Sequence, residues 1–224
     1  MISIFCTPKN FEDVFTNIQT NAITSWRSLS NDIEIIIFGN SNGAKEISNK
    51  VNGIFIPNVK VSSSGVPLLS DLFNQARAIA KFDILLFVNA DIILPENFLS
   101  SAVYSVKKKF KKFLLVGYRW DLDFNQKINF SDEIKKKEFW NFANLNSSKH
   151  GCTGIDYFLF NKHLFKNLPD YIIGRPGYDN WLLWYARRRM VPLIDASDQI
   201  KVIHQNHHYT YHNFESGRKH FLDE

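Results

Sequence analysis

Cysteine is scarce: Cys6 and Cys152 are the only two in 224 residues. Neither lies in a CxxC or zinc-ribbon spacing, so the chain offers no disulfide framework and no standard structural zinc site. A reduced, cytoplasmic compartment is the expectation. Long apolar runs are also lacking. Met1 to Cys6 is too short for a signal-peptide core, and the stretch from Ile84 to Leu94 is interrupted by Asn89 and Asp91, so no membrane-spanning segment is expected. Repeats and linker-like composition are absent, which favours one domain. With 45% hydrophobic residues, that domain can bury a substantial core.

Acidic residues are the minority charge. Twenty-seven Lys and Arg against 22 Asp and Glu give a net charge of +5, which suits an anionic ligand, a phospholipid surface or nucleic acid without choosing among them. The excess is local, in Lys107-Lys108-Lys109 with Lys111-Lys112, Lys135-Lys136-Lys137 and Arg187-Arg188-Arg189. Lysine runs of this kind are commonly solvated helix faces.

What is present is an alternation of strand and helix patterns. Ile2 to Cys6, Ile33 to Phe38, Ile54 to Ile56, Ile84 to Val88 and Phe113 to Tyr118 read as buried strands. Helical spacing falls between them: Phe11 to Ala22, Ala44 to Lys50, a segment opened by Pro67 and running to Ala80, and Pro95 to Phe110. That order predicts an α/β fold with a mostly parallel central sheet flanked by helices. Periodicity fades from Asp121 to Gly151, apart from a helix near Lys135 to Phe142. It returns as a strand at Ile155 to Phe160, a helix at Tyr178 to Arg189 and a strand at Lys201 to His204. Residues 1–119 read as a nucleotide-fold-like half and 120–212 as a second half that decorates the site, with a polar tail at 213–224.

Function concentrates where strands end, because ligands of open α/β sheets collect beyond the carboxyl ends of strands. The apolar strand Ile84-Leu85-Leu86-Phe87-Val88 runs into Asn89-Ala90-Asp91, projecting a carboxylate from a polar corner. Asp91 either caps the turn before Pro95 or holds a metal; the residues alone leave both open. After the second strand, Asn40-Ser41-Asn42-Gly43 is either a plain turn or a loop whose Asn40 pairs with a base edge or ribose hydroxyl. Ser62-Ser63-Ser64-Gly65 precedes the Pro67 helix, whose free first-turn N–H groups could receive a phosphate or sugar hydroxyl. Asp156 sits in an apolar strand and needs a partner, a ligand hydroxyl or a buried arginine such as Arg175, which a ligand phosphate could also claim. Trp120, Trp181 and Trp184 offer rings for ligand stacking or for the core, with Trp181 favoured because it neighbours Asp179.

Four pieces in order, Phe5-Cys6-Thr7-Pro8, Phe38-Gly39-Asn40, Asn89-Ala90-Asp91 and Gly177-Tyr178-Asp179-Asn180-Trp181, resemble the glycosyltransferase A fold of the nucleotide-diphospho-sugar transferase superfamily, specifically its family-2-like inverting enzymes. The resemblance covers most of the chain. It implies that Thr7, Pro8, Asn40 and Gly65 frame the nucleotide and that Asn89 and Asp91 stand where the family carries a DxD motif. The metal implied is Mn²⁺ or Mg²⁺, which offsets the charge on a departing nucleoside diphosphate. Asn89 replaces the motif's first Asp, which lowers the charge available to that metal. Within His204-Gln205-Asn206-His207-His208, the resemblance implies a histidine ligand, with His204 and His207 as candidates. His208 and His212 read equally as a solvated tail. Asp179 corresponds to the carboxylate that takes the acceptor's proton, and it also fits a helix cap.

The implied activity is transfer of a sugar from a nucleotide diphosphate donor to a hydroxyl on a glycan or lipid-linked acceptor, in the setting of polysaccharide assembly. The protein would be cytoplasmic, with peripheral contact at the inner face of a membrane through the Lys107 to Lys112 region. Sugar nucleotidyltransferases share the fold, but they carry a Gly- and Arg-rich loop after the first strand, where this chain has Thr7-Pro8-Lys9-Asn10. A noncatalytic basic protein that binds nucleic acid or a membrane is the third reading. No paired RNA-reading aromatic motif supports it, and no nucleic-acid partner is expected.

Overall fold

Alternation along the strands decides which face of the sheet each side chain enters. In β1 (Ser3–Cys6), β2 (Glu34–Phe38) and β4 (Ile84–Val88), Ile4, Cys6, Ile35, Ile37, Leu86 and Val88 pack on one side, with Ala22, Ile23 and Trp26 of α1 (Asp13–Leu29). Phe5, Ile36, Phe38, Leu85 and Phe87 enter the other side, against Leu69, Leu72, Phe73 and Ala76 of α3 (Leu69–Ile79) and Leu182 and Ala186 of α6 (Tyr178–Arg188). Phenylalanines fill this second layer; Phe73 stacks on Phe160 with centroids 5.3 Å apart. Each such buried ring contributes about 1.5–3 kcal/mol.

The computed structural model describes residues 1–207. Between the elements named above lie α2 (Ala44–Lys50), β3 (Ile54–Ile56), β5 (Ile92–Ile93), a π-helical turn (Leu99–Tyr104) continuing as α4 (Ser105–Lys109), β6 (Leu114–Leu122), α5 (Glu133–Asn146), β7 (Ser148–Lys149), β8 (Ile155–Asn161), β9 (Leu193–Asp195) and β10 (Val202–Gln205). The sheet order is β3-β2-β1-β4-β8-β6-β10-β5, with β7 and β9 paired to β6. Pairing is parallel from β3 to β4, and β6 is parallel to β9 and β10. β8 is inserted antiparallel between β4 and β6. His208, His212 and the 213–224 tail lie outside the described residues.

Three local expectations change. The helix expected from Pro67 starts at Leu69, because Pro67 is held in a bridge to Val61 and its carbonyl accepts from Ile173 N–H at 3.2 Å. The strand expected to stop at Tyr118 continues to Leu122 through an irregularity between Val116 and Tyr118. Gly117 makes this passable: a Cβ there would lie 2.1 Å from the Tyr157 hydroxyl. The short strands β5, β7 and β9 carry too few residues to show a period.

A buried amide cluster ties α1 to the end of β10. Asn21 Nδ2 donates to Gln205 Oε1 at 2.9 Å and to the Gln126 carbonyl at 2.8 Å, while its Oδ1 accepts from Ile128 N–H at 2.8 Å. Gln205 Nε2 donates to the carbonyls of Ile18 at 2.9 Å and Asp91 at 3.3 Å. Both side chains are fully buried. The Asp91 corner and β10 are thereby held in fixed register.

Candidate metal and donor site

The carboxyl ends of β1, β2, β4, β6 and β10 converge on one end of the sheet, as their parallel pairings require. The loops after β1 and β2 are clamped together. Ser41 Oγ donates to the Pro8 carbonyl at 2.5 Å, and Phe11 N–H donates to the Asn42 carbonyl at 2.9 Å. Gly39 has φ +90°, and a Cβ on it would stand 3.0 Å from Thr7 Oγ1, so glycine lets the two loops approach. Thr7 and Pro8 thus adjoin the exposed Asn40.

Asp91 lies in the turn between β4 and β5, and His204 and His207 come from β10 and the residues just beyond it. One ligand atom from each of the three falls within 4.8 Å of the others. His207 Nε2 is 3.1 Å and His204 Nε2 3.6 Å from Asp91 Oδ2. Burial opposes ionisation of Asp91, but hydrogen bonds and charge from His204 and His207 outweigh it and hold the carboxyl far below the usual carboxylate range. His204 is itself disfavoured as a cation by burial, yet Asp91 raises its pKa above the ordinary histidine value. Asp91 Oδ1 is buried with no hydrogen-bond partner among the described residues, an arrangement that costs energy unless something else claims the oxygen. An orphaned carboxylate oxygen beside two imidazoles fits a divalent cation, and the mixed nitrogen and oxygen set suits Mn²⁺ better than Mg²⁺.

A chain of ionic contacts runs behind this cluster, and most of it was not expected from sequence. Asn89 Nδ2 donates to Asp156 Oδ1 at 2.7 Å. Arg119 Nη1 donates to Asp156 Oδ2 at 2.7 Å, and its Nε donates to Asp121 Oδ1 at 3.0 Å. Asp121 Oδ1 also lies 3.1 Å from His204 Nδ1, and its Oδ2 2.5 Å from His150 Nδ1. The arginine on Asp156 is therefore Arg119, not Arg175: β6 runs antiparallel beside β8, which places position 119 against the start of that strand. Burial pushes the Asp156 carboxyl above the ordinary range despite Arg119, while donors to both oxygens favour the carboxylate form. Asn89 is likewise committed to the protein. An aspartate in its place would face Asp156, so the missing first Asp of the motif has a local electrostatic reason. The signal for Arg119 and Asp121 was period-2 alternation continuing through Tyr118-Arg119-Trp120-Asp121-Leu122, which places Trp120 and Leu122 on the opposite face, with the α5 residues Phe139 and Ala143.

Arg119→Met would leave two poorly solvated carboxylates facing each other; the three side chains are 12–20% exposed. Breaking such a pair costs about 3–5 kcal/mol, and at roughly 2–4 °C per kcal/mol for a chain of this size the melting temperature should fall by about 6–20 °C. A melting curve in EDTA checks this, and a fall of under about 3 °C would show that water already screens the pair.

Gly177, in the left-handed region at φ 115°, caps α6, and Asp179 sits in its first turn. The capping position thus lies two residues before Asp179, whose Oδ1 accepts from Asn180 N–H at 2.8 Å and Gly177 N–H at 3.3 Å. Burial, with the charges of Asp156, Asp179 and Asp91, raises the pKa of the adjacent Tyr178 hydroxyl, and Asn89 opposes the rise. The Tyr178 ring packs 6.2 Å from Phe87 and 6.4 Å from Phe158, which sets the start of α6 over β4 and β8, near the ends that carry Asn89 and Asp156. Trp181 stacks on Tyr185 at 4.8 Å and packs near Tyr171, whereas Trp184 is 53% exposed. Trp120 lies under Lys201, whose Nζ is 4.2 Å from the ring.

The start of α3 is not an open anion seat. Leu69 N–H donates to the Tyr171 carbonyl at 2.8 Å, and Asp71 occupies the first turn. Gly65, at φ +78°, closes a turn in which its N–H donates to the Ser62 carbonyl at 2.9 Å. Arg175 follows the 171–173 segment that covers α3, with its N–H on the Ile172 carbonyl at 3.3 Å.

No protein-family model and no curated protein matches the chain. Solved structures do. Residues 1–349 of TarS from S. aureus align with a TM-score of 0.58 at 15% identity, covering 91% of this chain and 60% of that one. Glucosyl-3-phosphoglycerate synthase from Mycobacterium tuberculosis, in complex with Mn²⁺, uridine diphosphate and glucosyl-3-phosphoglycerate, aligns at 0.55 with 16% identity, covering 93% of this chain and 73% of that one. The same synthase with Mg²⁺ and uridine diphosphate aligns at 0.53 with 14% identity, covering 93% and 72%. The chain thus spans under two thirds of the TarS structure, and at these identities the likeness is one of fold: this chain has a glycosyltransferase A-type fold.

Proposed function

We propose that the protein is an inverting, metal-assisted glycosyltransferase that moves a sugar from a nucleotide diphosphate donor to a hydroxyl of a glycan or lipid-linked acceptor. The observation that carries this reading is the Asp91, His204 and His207 cluster, with its orphaned Asp91 oxygen, at the carboxyl end of a glycosyltransferase A-type sheet. When bound there, Mn²⁺ or Mg²⁺ would offset charge building on the departing diphosphate. Thr7, Pro8 and Asn40 would line the nucleoside side. Asp179 would accept the acceptor's proton as the acceptor oxygen bonds to the anomeric carbon and the bond from that carbon to the diphosphate oxygen breaks. Uridine diphosphate is the first donor nucleotide to try, since the structurally similar synthase binds it with either metal.

A division into residues 1–119 for the donor and 120–212 for the acceptor belongs to this proposal. So does a cytoplasmic location, supported by two unpaired cysteines and by the absence, among the described residues, of any helix long and apolar enough to cross a membrane. Lys107 to Lys109 at the end of α4 and Arg187 to Arg189 at the end of α6 are all exposed. Both segments lead into the paired starts of β6 and β9, so this basic surface lies at the opposite end of β6 from Asp121. Contact with an anionic membrane there would anchor the protein while leaving the donor site turned away. A polysaccharide-assembly role fits that arrangement when the growing chain extends beyond the membrane surface.

Thermal unfolding against UDP, GDP, CMP and dTDP, each with and without Mn²⁺, tests the reading. At a hundredfold excess over the dissociation constant, linkage stabilises by about 2.7 kcal/mol, which corresponds to a rise of roughly 5–11 °C. One nucleotide should give a rise that requires Mn²⁺. No rise with any of the four would overturn the transferase reading in favour of a noncatalytic fold.

A further inference from the structure

We propose that Asp121 is the positioning residue of the metal centre: it fixes the His204 ring with Nδ1–H turned inward, so that the Nε2 lone pair is directed at the Asp91 cluster. This inference rests on the metal reading above and assigns a role to a residue outside the ligand set. His204 is 2% exposed, and its two ring nitrogens face different carboxylates, Nδ1 toward Asp121 Oδ1 at 3.1 Å and Nε2 toward Asp91 Oδ2 at 3.6 Å. A neutral imidazole carries one N–H, and a carboxylate can only accept. The tautomer that donates to Asp121 is therefore the one that offers Nε2 to a metal.

Asp121 is itself fixed from two more directions. Arg119 Nε reaches the oxygen that faces His204, and His150 Nδ1 faces the other. Parallel pairing of β6 with β10 places Asp121 directly opposite His204 in the register, so the contact is built by backbone rather than by a mobile loop. Because Arg119 continues to Asp156 and Asn89, the carboxylate that orients the metal ligand shares one ionic chain with the residues lining the start of α6. Asp121 stands behind the ring, on the side away from Asp91, and would not touch the metal.

The test is Mn²⁺ affinity by titration calorimetry, with Mn²⁺ as the probe, on the full chain. Asp121→Ala should weaken binding by about 10–100-fold, the usual cost of losing such a partner. Asp121→Asn, which keeps an accepting oxygen, should stay within about threefold of the wild type. His150→Ala, which removes only the outer contact, should also stay within about threefold. Melting in EDTA separates these effects from loss of fold. Wild-type affinity in Asp121→Ala would overturn the inference, and equal losses in the Ala and Asn variants would make Asp121 a ligand instead of a positioning residue. Failure of the wild type to bind Mn²⁺ would instead overturn the metal reading itself. Should the alanine variant not fold, ¹⁵N correlation spectra of the wild-type histidines, at a pH where the rings are neutral, still decide: a proton on Nδ1 of His204 supports the role, and a proton on Nε2 refutes it.

Discussion

Asp91→Asn should abolish the Mn²⁺-dependent part of donor binding and lower turnover by on the order of 10³, with little change in fold. The substitution preserves volume at a corner whose carbonyl is held by Gln205 and whose part-buried side chain lies beside two histidines. It removes the only carboxylate in the three-residue cluster. A hard dication draws most of its affinity from charged oxygen, and two neutral imidazoles with an amide oxygen make a much poorer site. Stabilising the leaving diphosphate is worth several kcal/mol, and each 1.36 kcal/mol is tenfold in rate, which gives the estimate. Two measurements check it without knowledge of the acceptor: the nucleotide-dependent rise in melting temperature with and without Mn²⁺, and the slow release of nucleoside diphosphate when water takes the sugar. An unchanged metal-dependent rise would remove Asp91 from the ligand set and leave it as a turn residue.

The Asp91 corner was legible because it combines two strong local signals, a five-residue apolar strand and an abrupt polar break. His204 and His207 entered as candidates through the family resemblance, which pointed to the segment after the last apolar strand. What sequence could not supply was the pairing that brings them together: β10 lies beside β6 and β5, not beside β4, and that adjacency is set by long-range register. The same limit hid Arg119 and Asp121. The strand reads as ending at Tyr118, yet Gly117 lets β6 pass the Tyr157 hydroxyl and continue with its charged side chains facing β8 and β10.

Where local chemistry was ambiguous, tertiary contacts decided. Pro67 was a sound helix-start signal by propensity, but a bridge to Val61 and a hydrogen bond from Ile173 hold it outside the helix. Asn89 looked like a weakened stand-in for the first Asp of a metal motif. Its amide instead neutralises a burial problem, donating to Asp156 in a place where a second carboxylate would repel it. Asp156 itself was correctly read as needing a partner, and the arginine is Arg119 of β6 rather than Arg175. These differences share a cause: each depends on which strand lies next to which, and β8 runs antiparallel in an otherwise mostly parallel order.

Asp179→Asn should reduce transfer by about 10²–10⁴-fold, the range for losing a general base, while leaving the Mn²⁺-dependent nucleotide rise intact. The substitution is suited to separating chemistry from architecture. Asp179 Oδ1 accepts from the N–H groups of Asn180 and Gly177, and an asparagine oxygen can accept both, so the first turn of α6 survives. Gly177, not Asp179, occupies the capping position with a left-handed backbone, so loss of the charge should cost stability only through its favourable place at a helix N-terminus, about 0.3–1 kcal/mol. The half-buried carboxylate stands next to Tyr178, whose ring packs on Phe87 and Phe158, so a base at position 179 would lie near the strand ends that carry Asn89 and Asp156. The effect should appear in kcat, since the proton moves only as the acceptor attacks, with KM for the donor unchanged. Activity within about threefold of the wild type would rule out the base assignment. Loss of activity together with a melting temperature lowered by more than about 5 °C would return Asp179 to a structural role at the helix start.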